Sequence, residues 1–345
     1  MDRIKKNRIL LFAILLISYN YCCCQSSKKE VRLDSLFQEA SKSKIFNGNV
    51  LISQNGKIIY EKAFGQADAG GIIQLNKKYR FHIGSIAKEF NAVGIMMLKE
   101  QGKLKLDDTI SKFLPELPSW ANKIKIIHLL QYTSGLPQIK WNQVNQDSDN
   151  MMELKKTVFL DFEPGTKYDY NNNNVFLQRK IIEKITKMSF NDFVIQKMLQ
   201  PIGIKNGIVD PNEKEKRIAK SFNSNGKQDI LKYNISGWTA LNLNDFYKWS
   251  EAINSFKIIS PESTLKLFTP FTKGNQTGLG EGSIQLGRVV NHIHDGAAFN
   301  YQSLLISNPK YTIILMTNNK QNNLDAISSS IQSILEGKVY DPIGN

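Results

Sequence analysis

Strand-like sequence lies at both ends of this chain, with a long helical stretch between. Near the start, "NVLISQNGKIIYEKAFG" contains two β-rich runs around Asn55-Gly56, a dipeptide typical of tight hairpins. Near the end, "NHIHDGAAFNYQSLLISNPKYTIILMTNN" indicates strands joined by turns, with Asn308-Pro309 between the last two. From about residue 107 to 256 the pattern is helical and loop-like. Flanking strands that belong to one sheet around a helical insertion predict an α/β sandwich with an α-helical subdomain.

Helices are predicted on both sides of these strands and inside the insertion. Apolar residues recur at helical spacing in residues 31–44, directly after Ser85, in residues 173–198 and in residues 322–336. The α/β part is predicted to cover about residues 30–106 and 257–345, and the helical subdomain about residues 107–256. No internal repeat is present.

Residues 1–24 have the pattern of a signal peptide. A basic head precedes an unbroken apolar run at residues 9–17, which is too short to span a bilayer. We therefore expect an exported protein of the periplasm or cell envelope. All three cysteines, Cys22, Cys23 and Cys24, follow the apolar run. Two alternatives stay open: a lipidated cysteine that attaches the protein to a membrane, or a freely secreted protein without disulfides.

The charge pattern does not indicate a nucleic-acid-binding protein. The formal net charge is +14, but the lysines are spread along the chain with acids between them, as in "NEKEKRIAK". No arginine-rich stripe or alternation of basic and aromatic residues occurs. We expect a solvated lysine-rich surface, attracted at most weakly to anionic polymers.

Serine and lysine recur as Ser-x-x-Lys in six places, so the spacing alone identifies no site. The tetrads begin at Ser26, Ser41, Ser85, Ser224, Ser263 and Ser307. Only Ser85 follows a glycine at a predicted helix start, with Lys88 one turn further along the same face. At a helix start, free N–H groups and the helix dipole favour an attacking serine oxygen and its oxyanion. The alternative is a serine N-cap followed by a surface lysine.

A second candidate pair, Tyr170-x-Asn172, lies in "EPGTKYDYNNNN". The preceding Pro-Gly turn is placed to present the tyrosine toward a cleft. A lysine ammonium lowers the pKa of a neighbouring tyrosine, so we predict that Tyr170 shares the general-base work. Asn172 supplies an amide donor for a substrate carbonyl. The alternative is a polar loop ahead of a helix.

The third candidate, His294-x-Gly296, lies at the start of a predicted strand. A hydrogen-bonding side chain beside a residue without a Cβ atom allows a substrate to lie along the strand edge. His292 points to the same face of the strand as His294, which raises the alternative of a metal site. The chain has only two other histidines and no cysteine beyond the leader, so we predict neither a metal nor another cofactor. A Gly-x-Ser-x-Gly sequence is absent, which disfavours the usual Ser-His-Asp arrangement.

In this order and at this spacing, the three pairs resemble the signature of serine β-lactamases and penicillin-binding proteins. The similarity is to the class C β-lactamase-like branch, where Tyr-x-Asn is second and Lys- or His-x-Gly is third. It extends from about residue 45 to 335 and includes "KLKLDDTISKFLPELP" and "IKIIHLLQYTSGLP". The resemblance implies a β-lactamase/DD-peptidase-like fold for residues 25–345: an antiparallel sheet flanked by helices, with an inserted all-helical subdomain.

The resemblance also implies which residues react. Ser85 is the acylated nucleophile, and Lys88 and Tyr170 deprotonate it and pass the proton to the leaving group. Asn172 binds the substrate amide or orients Lys88.

The third motif is expected to bind substrate. His294, where many relatives have lysine, binds a carboxylate or polarises Tyr170. Backbone N–H groups of Ser85 and Ala297 form the oxyanion hole beside Gly296. Where the chain departs from its relatives, three aromatic residues are expected to narrow the cleft: Trp238, Phe299 and Tyr301.

These expectations together predict an exported serine hydrolase that acts through an acyl-enzyme on a small acyl or peptide substrate, with peptidoglycan as a candidate. Peptidase or esterase activity is favoured over efficient β-lactamase activity, because a neutral His294 holds a carboxylate less firmly than a lysine does. The alternative is a non-catalytic protein that recognises cell-wall peptide on the same fold. The complete catalytic set argues against it. The oligomeric state is left open.

Overall fold

The computed structural model describes residues 28–321 and 323–340. The predicted leader and its three cysteines lie outside these residues. The described chain forms a six-stranded antiparallel sheet in the order β2-β1-β9-β8-β7-β6 and a small sheet in the order β3-β5-β4. The strands are β1 (Gly48–Gln54), β2 (Lys57–Phe64), β3 (Phe81–His82), β4 (Ile208–Val209), β5 (Thr239–Leu241), β6 (Glu281–Gln285), β7 (Arg288–Ala298), β8 (Tyr301–Ser307) and β9 (Tyr311–Thr317).

The helices of the described residues lie close to their predicted positions at the two ends of the chain. They are α1 (28–42), α2 (Lys88–Glu100), α3 (Ile126–Leu130), α4 (Asp147–Lys156), α5 (Asn172–Thr186), α6 (Phe190–Phe193), α7 (Leu243–Asn254), α8 (Pro261–Phe268) and α9 (Leu324–Leu335). Within the described ranges, none has both the length and the apolar character needed to cross a bilayer.

The first hairpin has the predicted tight turn. Asn55 and Gly56, between β1 and β2, have φ angles of 52° and 74°. Left-handed values at both positions match a type I′ turn, whose twist fits that of the flanking strands. Asn and Gly adopt these angles at the lowest cost, so this prediction is confirmed.

Helices bury both faces of the large sheet. Val50 on β1 packs in the layer formed with α1 and α9, whereas its neighbour Leu51 packs in the layer shared with α2 and α7. Both residues are fully buried. Consecutive side chains of a strand point to opposite faces, so β1 contributes to two cores at once. The predicted α/β architecture with an antiparallel sheet is confirmed.

The long helix pattern at residues 173–198 is interrupted in the structure. α5 ends where Lys187 adopts a left-handed φ of 59°, and Ser189 then caps α6. A π-helical turn, Val194–Leu199, follows α6. Lysine is not a typical helix terminator, so no residue at this position signals the end of α5. The apolar residues continue at helical spacing across the break, and the pattern therefore predicted one long helix.

The predicted end of the helical subdomain, at about residue 256, stays a prediction. The helix just before that position, α7, packs directly on β1, β7 and β9 of the large sheet. An amphipathic pattern specifies that one helix face is buried, but it does not specify which layer buries that face.

Candidate active site

Ser85 and Lys88 lie at the junction between the large sheet and the helical insertion. Ser85 lies in a 3₁₀ turn, Gly84–Ala87, and α2 begins at Lys88. The Lys88 Nζ donates a hydrogen bond of 2.8 Å to the Ser85 Oγ. The lysine is buried, whereas Ser85 is partly exposed and therefore accessible to a substrate. The structure thus joins the predicted nucleophile and base directly.

The second motif lies against the first. The Tyr170 hydroxyl is hydrogen-bonded to the Ser85 side chain, and the Lys88 Nζ is 5.1 Å from the centroid of the Tyr170 ring. Asn172 is the first residue of α5, and the side chain of Asn171 caps this helix. Asn172 and Lys88 line one small cavity of about 20 Å³. The structure therefore brings these predicted site residues together, while their roles stay predictions.

Burial sets the protonation states of the two candidate proton carriers. Desolvation lowers the pKa of Lys88 to about 7, against a smaller raising effect of Asp295. Burial also raises the pKa of Tyr170 to about 12, although the hydrogen bond with Ser85 opposes the rise. The expectation that the Tyr170 pKa is lowered was wrong, because desolvation disfavours the charged form of both groups. Neutral Lys88 is the stronger candidate base.

Strand β7 comes unusually close to the turn that carries Ser85. A Cβ atom on Gly296 would lie 2.9 Å from the Ser85 backbone nitrogen, and one on Gly84 would overlap the Ala297 nitrogen. Such distances exclude any side chain at Gly84 or Gly296. The contact holds the backbone nitrogens of Ser85 and Ala297 close together, as the predicted oxyanion hole requires.

The two histidines of β7 point away from the strand's exposed face toward α2. The Glu89 Oε1 lies 2.6 Å from the His294 Nδ1 and 3.4 Å from the His292 Nε2, and the Trp249 Nε1 donates to the Glu89 Oε2 at 2.6 Å. All four side chains are buried. Burial alone would raise the pKa of Glu89, but hydrogen bonds from both histidines hold it at about 2. One nitrogen of His294 is thus engaged by Glu89, and its predicted contact with a substrate carboxylate stays a prediction.

Aromatic residues surround His82, which precedes the turn that carries Ser85. Its Nδ1 accepts a hydrogen bond of 3.0 Å from the Gly84 N–H, and burial lowers its pKa to about 3. Neutral His82 therefore fixes the turn before Ser85. Trp238 also reaches Lys88, whose Nζ is 5.4 Å from the centroid of the indole. Tyr301 does not line the cleft as expected: it is fully buried and its hydroxyl donates to the Ala219 carbonyl.

Sequence reasoning missed Glu89 and Asp295. Glu89 directly follows Lys88, but its partners lie about 160 to 200 residues further along the chain. No local sequence pattern predicts contacts over such a separation. Asp295 lies inside the third motif and was passed over as its variable position. The available signal was an acidic residue inside a motif that is expected to bind a carboxylate. Within the described part of the chain, no group of three or more His, Cys, Asp or Glu side chains could hold a metal ion.

The comparisons with known proteins fit this geometry. The sequence pattern of the β-lactamase family matches residues 33–332. The chain belongs to the β-lactamase family. Penicillin-binding protein 4* of Bacillus subtilis is 26% identical over 352 residues, which cover 91% of this chain and 77% of that protein.

Solved structures of the family share its fold. A penicillin-binding protein from Bacillus halodurans has a TM-score of 0.76 at 21% identity, covering 87% of this chain and 98% of that one. A class C β-lactamase has a TM-score of 0.74 at 19% identity, covering 92% and 98%. The predicted resemblance and fold class are therefore confirmed. Members of the β-lactamase family are in general serine hydrolases.

Proposed function

We propose that this protein is an exported serine hydrolase that acts through an acyl-enzyme on Ser85. One observation carries the proposal: a buried lysine whose pKa is lowered to about 7 donates a 2.8 Å hydrogen bond to a partly exposed serine. At neutral pH about half of such lysines are uncharged, and an uncharged amine accepts the serine proton. The proposed location in the periplasm or cell envelope is supported by the signal-peptide pattern of residues 1–24.

The proposed reaction has two halves. Lys88 takes the proton of Ser85 as its Oγ bonds to the substrate carbonyl carbon, and the N–H groups of Ser85 and Ala297 stabilise the oxyanion. As the intermediate collapses, the bond to the leaving group breaks, and the neutral Tyr170 hydroxyl relays the lysine proton to that group. Water then attacks the acyl-enzyme with Lys88 again as the base, which releases the acid and regenerates Ser85.

Among the activities of such enzymes, we favour peptide or ester hydrolysis over efficient β-lactam hydrolysis. A β-lactam presents a carboxylate beside its reactive amide. The contact between His294 and Glu89 argues against His294 as a strong cationic partner for that carboxylate. A non-catalytic protein that binds cell-wall peptide is the weaker alternative, because Ser85, Lys88 and Tyr170 are in mutual contact.

An intact-mass experiment tests whether Ser85 is acylated. We expect a fluorophosphonate probe to add one covalent adduct to the wild-type protein and none to Ser85→Ala. The Ser224→Ala variant is the matched control, because Ser224 begins an exposed Ser-x-x-Lys tetrad. It should keep the adduct. A folded wild-type protein that gains no adduct from a fluorophosphonate, a penicillin or an activated ester would contradict the proposal.

The lowered pKa of Lys88 predicts a characteristic pH dependence. We expect kcat/KM for an uncharged ester to rise about tenfold per pH unit below pH 7 and to level off above it, because only neutral Lys88 accepts the serine proton. Since Asp295 raises this pKa, Asp295→Asn should move the midpoint to lower pH. Initial rates between pH 5 and 9 measure both. A flat profile with acylation rate-limiting would exclude Lys88 as the titrating base.

A further inference from the structure

Asp295 lies on the exposed face of the third motif. Along β7, the side chains of His292 and His294 are buried, Gly296 packs against the turn that carries Ser85, and Asp295 between them is exposed. The pairing of β6 with β7 ends at the partners Glu281 and Ile293. Asp295 therefore lies just beyond the end of β6, on a free edge of β7, that is, an edge with which no strand of the described residues pairs.

The surroundings of Asp295 leave its negative charge available. Its Oδ1 accepts a hydrogen bond of 3.3 Å from the neutral Gln276 side chain, and the Gln276 backbone is hydrogen-bonded to Tyr168 in the loop that leads to Tyr170. The charge also reaches the reacting groups, since Asp295 raises the pKa of both Lys88 and Tyr170. Asp295 is also the chain neighbour of Gly296, which packs against the backbone nitrogen of Ser85, so its exposed carboxylate lies beside the turn that carries the nucleophile.

The third motif thus presents a negative charge to the cleft, whereas we expected a histidine that binds a substrate carboxylate. His294 turns toward Glu89 and is only 3% exposed, whereas the exposed side chain beside it is a carboxylate. A substrate carboxylate at the free edge of β7 would meet a like charge, and an ammonium group would meet an opposite one. In a partly exposed cleft such a contact changes binding up to about fivefold in either direction.

We propose that Asp295 makes this cleft selective for acyl donors that carry an ammonium group near the scissile carbonyl, and that it disfavours donors with a carboxylate there. The inference rests on the proposed hydrolase function and names its substrate class. Asp295 acts here as a specificity-determining residue, because it contacts the substrate's charge and takes no proton from Ser85.

Thioesters that differ only in charge test this selectivity. The first series consists of S-benzyl thioesters of β-alanine, butanoic acid and succinic acid, whose acyl chains are similar in size and carry an ammonium, no charge and a carboxylate. The second compares acetylthiocholine with its uncharged 3,3-dimethylbutyl isostere, which places the cation on the leaving group. Thiol release gives kcat/KM, and Ser85→Ala supplies the background rate.

We expect the wild-type enzyme to prefer the cationic member of at least one series over the neutral one. In the acyl series its preference for ammonium over carboxylate should be about tenfold. Asp295→Asn should remove these preferences. Rising salt should reduce them in the wild type and leave Asp295→Asn unaffected. Glu281→Gln is the matched control, since it removes an exposed acid at the start of β6, and it should keep the wild-type ratios.

The outcomes separate this inference from the proposed function. One outcome is that the neutral thioesters are hydrolysed, but the ratios of kcat/KM between charged and neutral thioesters are the same in wild type and Asp295→Asn. This outcome would overturn the proposed selectivity without contradicting the hydrolase function. The same loss of selectivity in Glu281→Gln and Asp295→Asn would assign it to the general field of the protein and also overturn the role of Asp295. A folded enzyme that cleaves none of the thioesters would overturn both.

Discussion

Replacing Lys88 by either methionine or arginine should lower kcat/KM for an activated ester about a thousandfold, with the protein still folded. Methionine removes the amine that bonds to the Ser85 Oγ. Arginine keeps a positive charge but holds its proton at every accessible pH, so it cannot act as a base. The two variants together distinguish a lysine that accepts a proton from one that only supplies charge. Steady-state rates at pH 8 give the comparison.

Lys99→Met is the matched control for these variants. Lys99 lies on the same helix, α2, but pairs with Glu262 at the surface, so we expect nearly unchanged rates. The far-ultraviolet circular dichroism of all variants should match that of the wild type. Retention of more than a tenth of the activity by Lys88→Arg would show that positive charge alone suffices, and would contradict the proposed proton transfer.

The sequence predicted the features whose signals are local. The Asn55-Gly56 turn, the closing strands and the helix after Ser85 each depend on residues within a few positions of one another. The Ser85–Lys88 contact follows from their spacing at a helix start, because side chains three positions apart lie on the same face of a helix. The local sequence already favours these conformations, so they do not depend on contacts with distant parts of the chain.

Features that depend on distant packing could not be predicted. A glutamate after Lys88 looks like an ordinary helix-surface residue, and only the docking of β7 and α7 on α2 turns Glu89 into a buried carboxylate. The direction of the shift in the Tyr170 pKa was predicted wrongly for the same reason. We weighed the charge of a neighbouring lysine, but the extent of burial, which dominates, is a property of the folded chain.

The buried Glu89 should make a large contribution to stability. We expect Glu89→Gln to lower the free energy of unfolding at pH 7 by about 3 kcal/mol, because it removes the charge that both histidines and Trp249 surround. The pKa of Glu89 supports this size: the difference between its ordinary value of 4.5 and about 2 corresponds to about 3 kcal/mol. Urea denaturation followed by tryptophan fluorescence measures the change.

The pH dependence of this stability loss identifies its origin. Because folding lowers the pKa of Glu89, its contribution is fully present above about pH 4.5 and is lost as the pH falls toward 2. The stability difference between wild type and Glu89→Gln should therefore be constant from pH 8 to 6 and shrink below pH 4.5. Glu116→Gln, at an exposed glutamate in the segment before α3, is the matched control and should cost less than about 1 kcal/mol. Two results would contradict this prediction: a loss of unfolding free energy for Glu89→Gln no larger than that for the control, or a loss that does not change in acid. Either result would show that the buried charge of Glu89 does not stabilise the contact between β7 and α2.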